Sequence, residues 1–120
     1  MALLEISQLK KTYGTGEYAL KGVDVSVEAQ EVVALLGLSG SGKSTLLRCV
    51  NRLVEPDSGQ VVLDGVDIPS LGKSALRDAR RTMGMIFQEF NLIDRLTVLE
   101  NVLAGTLGVT GTLRGIFRAF

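Results

Sequence analysis

The chain has 120 residues and a mass of 12.8 kDa, so it holds at most one domain. Hydrophobic residues make up 46% and charged residues 22%, an ordinary globular composition. The 13 basic residues balance the 13 acidic ones, which argues against nucleic acid as a partner because such proteins need a basic excess. The absence of histidine excludes a Ser-His-Asp triad and a His-ligated zinc site.

Two features bear on the cellular compartment. The single cysteine, Cys49, excludes an internal disulfide and favours a reducing compartment, where we expect it to be a buried, inert thiol. The first residues contain no long apolar segment of the kind found in signal peptides. No uninterrupted apolar run approaches the ~20 residues of a membrane span, so we expect no transmembrane segment.

Three strands are predicted before the glycine-rich stretch. The apolar-rich run from Leu3 to Leu9 is the first. Val23, Val25 and Val27 then alternate with polar residues, which is typical of a strand with one buried face. The five apolar residues from Val32 to Leu36 form a continuous run, which predicts a strand buried on both faces, as in a parallel sheet.

A helix and a hairpin are predicted after the glycine-rich stretch. Apolar residues recur at helical spacing from Leu46 to Leu53, and the cluster around Pro56 is expected to end this helix. Residues 61–68 are predicted to form a hairpin, because Asp64 and Gly65 suit the two left-handed positions of a type I′ turn.

The second half predicts shorter elements. A charged helix is expected from Ser74, as its N-cap, to Arg81. Residues 83–87 are apolar and predict a core strand. Thr97, with Glu100 three residues later, has the spacing of a capping box at the start of another helix. The apolar residues between 105 and 120 predict either half of a helical core or a docking surface.

The glycine-rich stretch carries the chemistry. It matches G-x-x-x-x-G-K-[ST], the phosphate-binding P-loop, and it follows a predicted strand and precedes a predicted helix. Backbone N–H groups must wrap a phosphate chain closely, and glycines leave room for that approach. The predicted nucleotide-binding residues are Gly37, Leu38, Ser39, Gly40, Ser41, Gly42, Lys43, Ser44 and Thr45.

Two side chains of this loop have predicted roles of their own. Lys43 is predicted to reach the β- and γ-phosphates of a bound nucleotide and to be catalytic by stabilising the charge of the transferred group. The hydroxyl of Ser44 is predicted to ligate Mg²⁺.

The chain resembles the ATP-binding subunit of an ATP-binding-cassette (ABC) transporter. Upstream of the P-loop, Tyr13-Gly14 followed by residues 18–23 is similar to the aromatic loop of that family and the strand after it, which implies that Tyr13 stacks on adenine. Downstream, the segment from Met85 to Leu92 is similar to the family's Q-loop. The resemblance implies that Gln88 contacts Mg²⁺ or the attacking water, as a metal-binding and catalytic residue, and reports the nucleotide state to the membrane subunit.

The resemblance implies an architecture and an assembly. It implies an α/β P-loop NTPase fold of the ABC nucleotide-binding type with an antiparallel β portion at the N-terminal side. Residues 1–120 would form a partial domain that ends within a helical subdomain. The implied partners are a membrane permease subunit, a second nucleotide-binding subunit and, indirectly, a solute-binding protein, at the cytoplasmic face of the inner membrane. The amino-acid sequence of residues 91–108 is most similar to that of the phosphonate importers, with polar amino-acid importers as close relatives.

Several motifs of the family do not occur in this sequence. The LSGGQ signature, a Walker B strand ending in Asp-Glu and the switch histidine are absent. Residues 61–64 resemble a Walker B strand superficially, but Gly65 follows Asp64 where the catalytic carboxylate would stand, so the hairpin turn explains Asp64 better. We therefore expect the chain to be an N-terminal portion of such a subunit. The alternatives are a nucleotide-binding module without ATPase turnover, a small-molecule kinase or GTPase with a P-loop, and a piece without independent function.

Overall fold

The computed structural model describes residues 2–14 and 16–106. It divides into two units, residues 1–79 and residues 80–120, each of which is described by itself. The prediction that residues 1–120 form one partial nucleotide-binding domain stays a prediction. The helical core or docking surface predicted between 105 and 120 lies outside the described residues from 107 onward. Within the described ranges no helix is long and apolar enough to cross a bilayer.

The first unit contains an antiparallel sheet. Its strands are β1 (Ala2–Tyr13), β2 (Glu17–Glu28), β3 (Ser58–Leu63) and β4 (Val66–Asp67), in the spatial order β2-β1-β3-β4. The predicted alternation in β2 is confirmed, since Val23, Val25 and Val27 are half-buried while the residues between them are exposed. β1 is longer than the predicted apolar run, because its polar end pairs with β2 as far as Tyr13 and Glu17.

The predicted hairpin is also confirmed. β3 and β4 pair in an antiparallel register, with Leu63 opposite Val66. Asp64 and Gly65 connect them with φ values of 48° and 76°, the two left-handed positions that the sequence predicted for this turn. Val61 is fully buried on the strand that leads into it.

One helix of the first unit packs its apolar face into the core. It is α1 (Lys43–Val50), whose buried residues Leu46 and Cys49 lie three positions apart on one face. The remaining buried residues come from the sheet and from the turn after β4, and they are Ile6, Leu9, Leu20, Val61 and Ile68. α1 ends earlier than predicted, because Asn51 closes it and Arg52 adopts a positive φ of 55°.

The prediction of a doubly buried strand at residues 32–36 is wrong in this structure. The segment forms no strand, and Val32 and Leu36 are 95% and 92% exposed. A strand of a parallel sheet needs neighbouring strands to pair its N–H and C=O groups. Among the described residues, the four strands pair with one another and none pairs with this segment.

The helix after the sheet begins slightly earlier than predicted. α2 (Lys73–Arg80) contains Ser74 in its first turn, so Ser74 is not its N-cap. The carbonyl of Gly72 accepts a hydrogen bond from Leu76 N–H at 2.9 Å, which places the helix start before Ser74. The preceding single turn of 3₁₀ helix, Ile68–Ser70, holds Pro69 near its start, and the fixed φ of proline favours this position.

The second unit contains α3 (Val98–Ala104), and its capping box is confirmed. Thr97 N–H donates to the Glu100 carboxylate at 2.7 Å, and Glu100 N–H donates back to the Thr97 hydroxyl at 3.3 Å. The Thr97 hydroxyl also donates to the Glu100 carboxylate, at 2.8 Å, and the bonds from the Thr97 N–H and hydroxyl lower the pKa of Glu100. The predicted strand at residues 83–87 is wrong, because no strand occurs among the described residues of this unit and Ile86 is 92% exposed.

Candidate nucleotide-binding site

The glycine loop before α1 has the backbone shape that its glycines permit. Gly40 and Gly42 adopt positive φ values of 78° and 92°, and Gly42 is the N-cap of α1. A Cβ at Gly42 would collide with the carbonyl oxygen of Ala19 on β2. Glycine is therefore needed at this position both for its left-handed backbone and for the close approach of β2.

Lys43 lies inside the loop. Its ammonium donates to the carbonyl oxygens of Gly37 at 2.8 Å and Leu38 at 2.6 Å, and to the Ser41 hydroxyl at 3.2 Å. The loop thus closes around a positive charge at the N-terminus of a helix, whose own dipole and N–H groups favour anions. These two features give the loop the chemistry of a phosphate site.

A cavity of about 460 Å³ opens beside this loop. Its volume lies in the usual range of small-molecule sites. It is lined by Tyr13, Glu17, Tyr18, Ala19, Gly40, Ser41, Gly42, Lys43, Ser44 and Thr45. Six of the nine P-loop residues predicted from the sequence thus line one cavity with Tyr13. Gly37 and Leu38 contribute through their carbonyl contacts with Lys43, and Ser39 is exposed.

The sequence analysis assigned no binding role to three of the residues that line the cavity, although two of them, Tyr18 and Ala19, belong to the segment that resembles the family. Glu17, Tyr18 and Ala19 belong to the start of β2, and Glu17 is the partner of Tyr13 across the β1–β2 pair. The sequence signal that could have found them was the pair of glycines at 14 and 16, because glycines between two predicted strands favour a turn that brings Glu17 back beside Tyr13. A hairpin places facing residues side by side.

Tyr13 stands at the end of β1, on the rim of the cavity. Its hydroxyl lies 3.4 Å from the Thr45 hydroxyl oxygen, so strand β1 and helix α1 meet at this point. The side chain is 48% exposed, and the Lys11 ammonium lies 5.6 Å from the ring centroid. An exposed aromatic face beside a phosphate-binding loop is suited to stacking on a base. The role of Tyr13 stays a prediction.

The donor set at the start of α1 suits magnesium. Mg²⁺ prefers oxygen ligands and is usually bound by one or two protein groups together with substrate phosphates and waters. Ser44 is exposed and lines the cavity, so its hydroxyl oxygen is available beside the loop. The residues present therefore fit a magnesium ion that binds together with a nucleotide. Within residues 2–14 and 16–106, no group of three or more acidic, cysteine or histidine side chains is placed so that it could hold a metal ion by itself.

Gln88 belongs to the second unit. It is exposed, and the chain turns directly after it, where Phe90 N–H donates to the Phe87 carbonyl at 3.1 Å. Phe90 and Asn91 have positive φ values of 59° and 50°. The contact of Gln88 with a metal ion or water stays a prediction.

Cys49 is excluded as a nucleophile of this site. The side chain is fully buried in α1, as the sequence predicted. Burial raises the pKa of the thiol, and the thiolate is the reactive form of cysteine. The chemistry of the site therefore comes from the loop, Lys43 and the hydroxyl groups.

Comparison with known proteins gives close relatives. The chain is 57% identical over 118 residues to the phosphonates import ATP-binding protein PhnC of Alcaligenes faecalis, covering 98% of the chain and 43% of that protein. It is 54% identical over 118 residues to PhnC 2 of Haloarcula marismortui, with 98% and 44% covered. The chain thus spans less than half the length of the curated relatives that it matches.

Solved structures give the same result for the fold. The dimeric structure of MJ0796, a bacterial ABC transporter cassette, matches with a TM-score of 0.81 and 36% identity, over 96% of this chain and 53% of that one. The post-hydrolysis state of the same cassette, bound to ADP and Pi, matches with a TM-score of 0.78 and 37% identity, over 97% and 53%. The predicted α/β P-loop fold of the ABC type is therefore confirmed.

The family assignment rests on most of the sequence. A family model described as ABC transporter matches residues 20–118, which contain the P-loop, α1 and the segment around Gln88. The chain therefore belongs to the ABC transporter family.

Proposed function

We propose that the chain binds ATP with Mg²⁺ in the cavity between Tyr13 and the P-loop. The observation that carries the proposal is the position of Lys43, whose ammonium lies at the centre of a glycine loop that opens onto this cavity. ATP-binding relatives at more than 50% identity and a cassette structure bound to ADP and Pi support it. The volume of about 460 Å³ is suited to a nucleotide.

Each part of the site has a distinct proposed task. The N–H groups of the loop and the ammonium of Lys43 bind the phosphate chain and stabilise charge on the γ-phosphoryl group. The hydroxyl of Ser44 binds Mg²⁺, which neutralises charge on the β- and γ-phosphates. Tyr13 stacks on the base. Gln88 orients the attacking water or contacts the metal ion.

For the whole protein we propose ATP hydrolysis coupled to uptake of a phosphonate or a related oxyanion. The support is the name and the high identity of the relatives, which are phosphonates import ATP-binding proteins. The proposed partners are a membrane permease subunit, a second nucleotide-binding subunit and, indirectly, a solute-binding protein. The proposed location is peripheral, at the cytoplasmic face of the inner membrane. A polar amino-acid importer is the alternative within the family.

For these 120 residues alone we propose nucleotide binding without significant turnover. The supporting observation is the sequence, which has no Walker B carboxylate pair and no LSGGQ segment. Lys43 and the loop can bind the γ-phosphate, but a second group is needed to orient water for attack. Binding and turnover should therefore separate in this chain.

Equilibrium titration tests the binding proposal. A fluorescent ATP analogue is titrated into the chain with Mg²⁺, and unlabelled ATP is then used as competitor. We expect saturable binding that ATP reverses, without phosphate release above that of the Lys43→Ala variant. Absence of binding by the folded chain would contradict the ATP proposal. Phosphate release that depends on Lys43 would contradict the absence of turnover.

A chimeric protein tests the proposed class of transported solute. Residues 1–118 replace the matching segment of a phosphonates import ATP-binding protein, and growth is measured with a phosphonate as the only phosphorus source. The matched control carries the same segment from a second phosphonate relative. We expect both grafts to support growth. If the control grows and the graft of this chain fails, its assignment to a phosphonate importer is wrong.

A further inference from the structure

The turn between α1 and β3 brings an acidic residue to the end of β1. Asp57 follows Pro56, immediately before β3. Its backbone N–H donates to the carbonyl of Lys10 at 2.9 Å, so the turn is attached to β1 at this level. The β1–β3 register ends here, where Lys10 pairs with Ser58.

Beyond Lys10, β1 has no β3 partner, and the carboxylate of Asp57 accepts hydrogen bonds from the next two residues of β1 instead. One oxygen accepts from the Lys11 ammonium at 2.9 Å. The other accepts from both the N–H and the hydroxyl of Thr12, each at 2.6 Å. Bonds to an ionised acceptor are shorter and stronger than neutral ones. They lower the pKa of Asp57 to about 2, through the side chains of Thr12 and Lys11 and then the Thr12 N–H.

These contacts are made to the two residues that precede Tyr13 in β1. Thr12 is the residue before Tyr13, so a bond that fixes the Thr12 backbone also fixes the point where the Tyr13 side chain begins. Lys11, which Asp57 binds, has its ammonium 5.6 Å from the Tyr13 ring centroid. On the other side, the Tyr13 hydroxyl lies 3.4 Å from the Thr45 hydroxyl oxygen.

We propose that Asp57 is a positioning residue for the base-binding side of the nucleotide site, acting through Lys11 and Thr12 on Tyr13. Asp57 does not line the cavity, and its carboxylate is bonded to Lys11 and Thr12 of β1. Its loss should therefore change how the base binds and leave the phosphate-binding loop unchanged. The inference rests on the proposed ATP site, because it assigns the means by which Tyr13 is held there.

The test compares two ligands and two neutralised carboxylates. Dissociation constants for ATP and for inorganic tripolyphosphate, both with Mg²⁺, are measured for the wild type, Asp57→Asn and the control Asp64→Asn. Asp64 belongs to the β3–β4 turn, and asparagine tolerates its positive φ. We expect Asp57→Asn to raise the dissociation constant for ATP about 5-fold or more. This is the lower end of the loss expected when base–aromatic stacking is removed. Tripolyphosphate binding should stay unchanged, and Asp64→Asn should change neither ligand.

A second background shows whether Asp57 acts through Tyr13. In the Tyr13→Ala background, the further change Asp57→Asn should not lower the affinity for ATP any further. Equal weakening of ATP and tripolyphosphate, or an additive loss in the double variant, would overturn the proposal. If Asp57→Asn does not fold, Thr12→Val removes one of the two Thr12 bonds and is measured by the same criteria. A folded wild type that binds neither ligand would overturn the ATP site itself, and this proposal with it.

Discussion

The Lys43→Ala variant tests the centre of the site. In the structure the Lys43 ammonium has three partners within the loop, the carbonyl oxygens of Gly37 and Leu38 and the hydroxyl of Ser41. A triphosphate that enters the loop adds a partner of full negative charge. Hydrogen bonds to charged groups contribute about 1.5–3 kcal/mol each. We therefore expect Lys43→Ala to raise the dissociation constant for Mg-ATP about 10- to 150-fold.

The control for this variant is a second lysine outside the cavity. Lys21 is exposed on β2, opposite Lys10, so Lys21→Ala removes the same charge and the same number of atoms. Both variants are titrated with the fluorescent ATP analogue and with tripolyphosphate. Because Lys43 acts on phosphate, its removal should weaken both ligands by a similar factor.

Two results would refute this reasoning. Equal affinity for ATP in the wild type and in Lys43→Ala would mean that the ammonium stays with the Gly37 and Leu38 carbonyls and does not contribute to binding. An equal loss in Lys43→Ala and Lys21→Ala would mean that net charge, rather than the loop, attracts the nucleotide. At 0.5 M salt, general attraction is screened, so the specific effect should persist there.

Three further changes test other parts of the chain. Tyr13→Ala should weaken ATP and GTP alike, by about 1–3 kcal/mol, and leave tripolyphosphate unchanged in the same titration, because stacking does not read base edges. The melting temperature should fall as the pH drops from 3.8, the ordinary pKa of Asp57, towards its folded value of about 2, and this fall should be smaller in Asp57→Asn. Thr97→Ala should cost α3 about 0.5–2 kcal/mol and Thr97→Ser much less, as measured by amide exchange of Glu100 to Ala104.

Local signals in the sequence predicted local structure well. The Asp64-Gly65 turn and the Thr97-Glu100 capping box each depend on residues at most three positions apart, and both occur as predicted. The P-loop is of the same kind, because its glycines, its lysine and its helix are contiguous. Such features need no distant partner, so sequence spacing alone determines them.

Predictions that depended on distant partners were less successful. An apolar run such as 32–36 predicts burial, but burial requires other elements on both faces, and the described residues do not provide them. The Asp57 contacts were missed because the partner exists but is distant in the sequence, since Asp57 and Thr12 are 45 positions apart. Nothing local in the sequence distinguishes an aspartate of a turn from one that holds a strand end.

Two valines allow a direct comparison between the sequence pattern and the structure. Val32 belongs to the run predicted as a buried strand but is 95% exposed, whereas Val61 on β3 is fully buried. Replacing valine by alanine removes two methyl groups, which costs about 1.5–3 kcal/mol when those groups are buried and leave a cavity. We therefore expect Val61→Ala to lower the free energy of unfolding by this amount and Val32→Ala to change it by less than about 0.5 kcal/mol.

Urea unfolding followed by circular dichroism measures both variants in the 120-residue chain. Exposed apolar residues such as Val32, Leu36 and Ile86 also predict strong binding of a hydrophobic dye and a chain of low stability. If Val32→Ala destabilises as much as Val61→Ala, the segment is buried in solution, and the prediction from its apolar pattern was correct after all. If Val32→Ala is neutral and Val32→Lys lowers dye binding, the apolar run is an exposed surface of this chain. Its apolar residues then stabilise nothing within the chain itself.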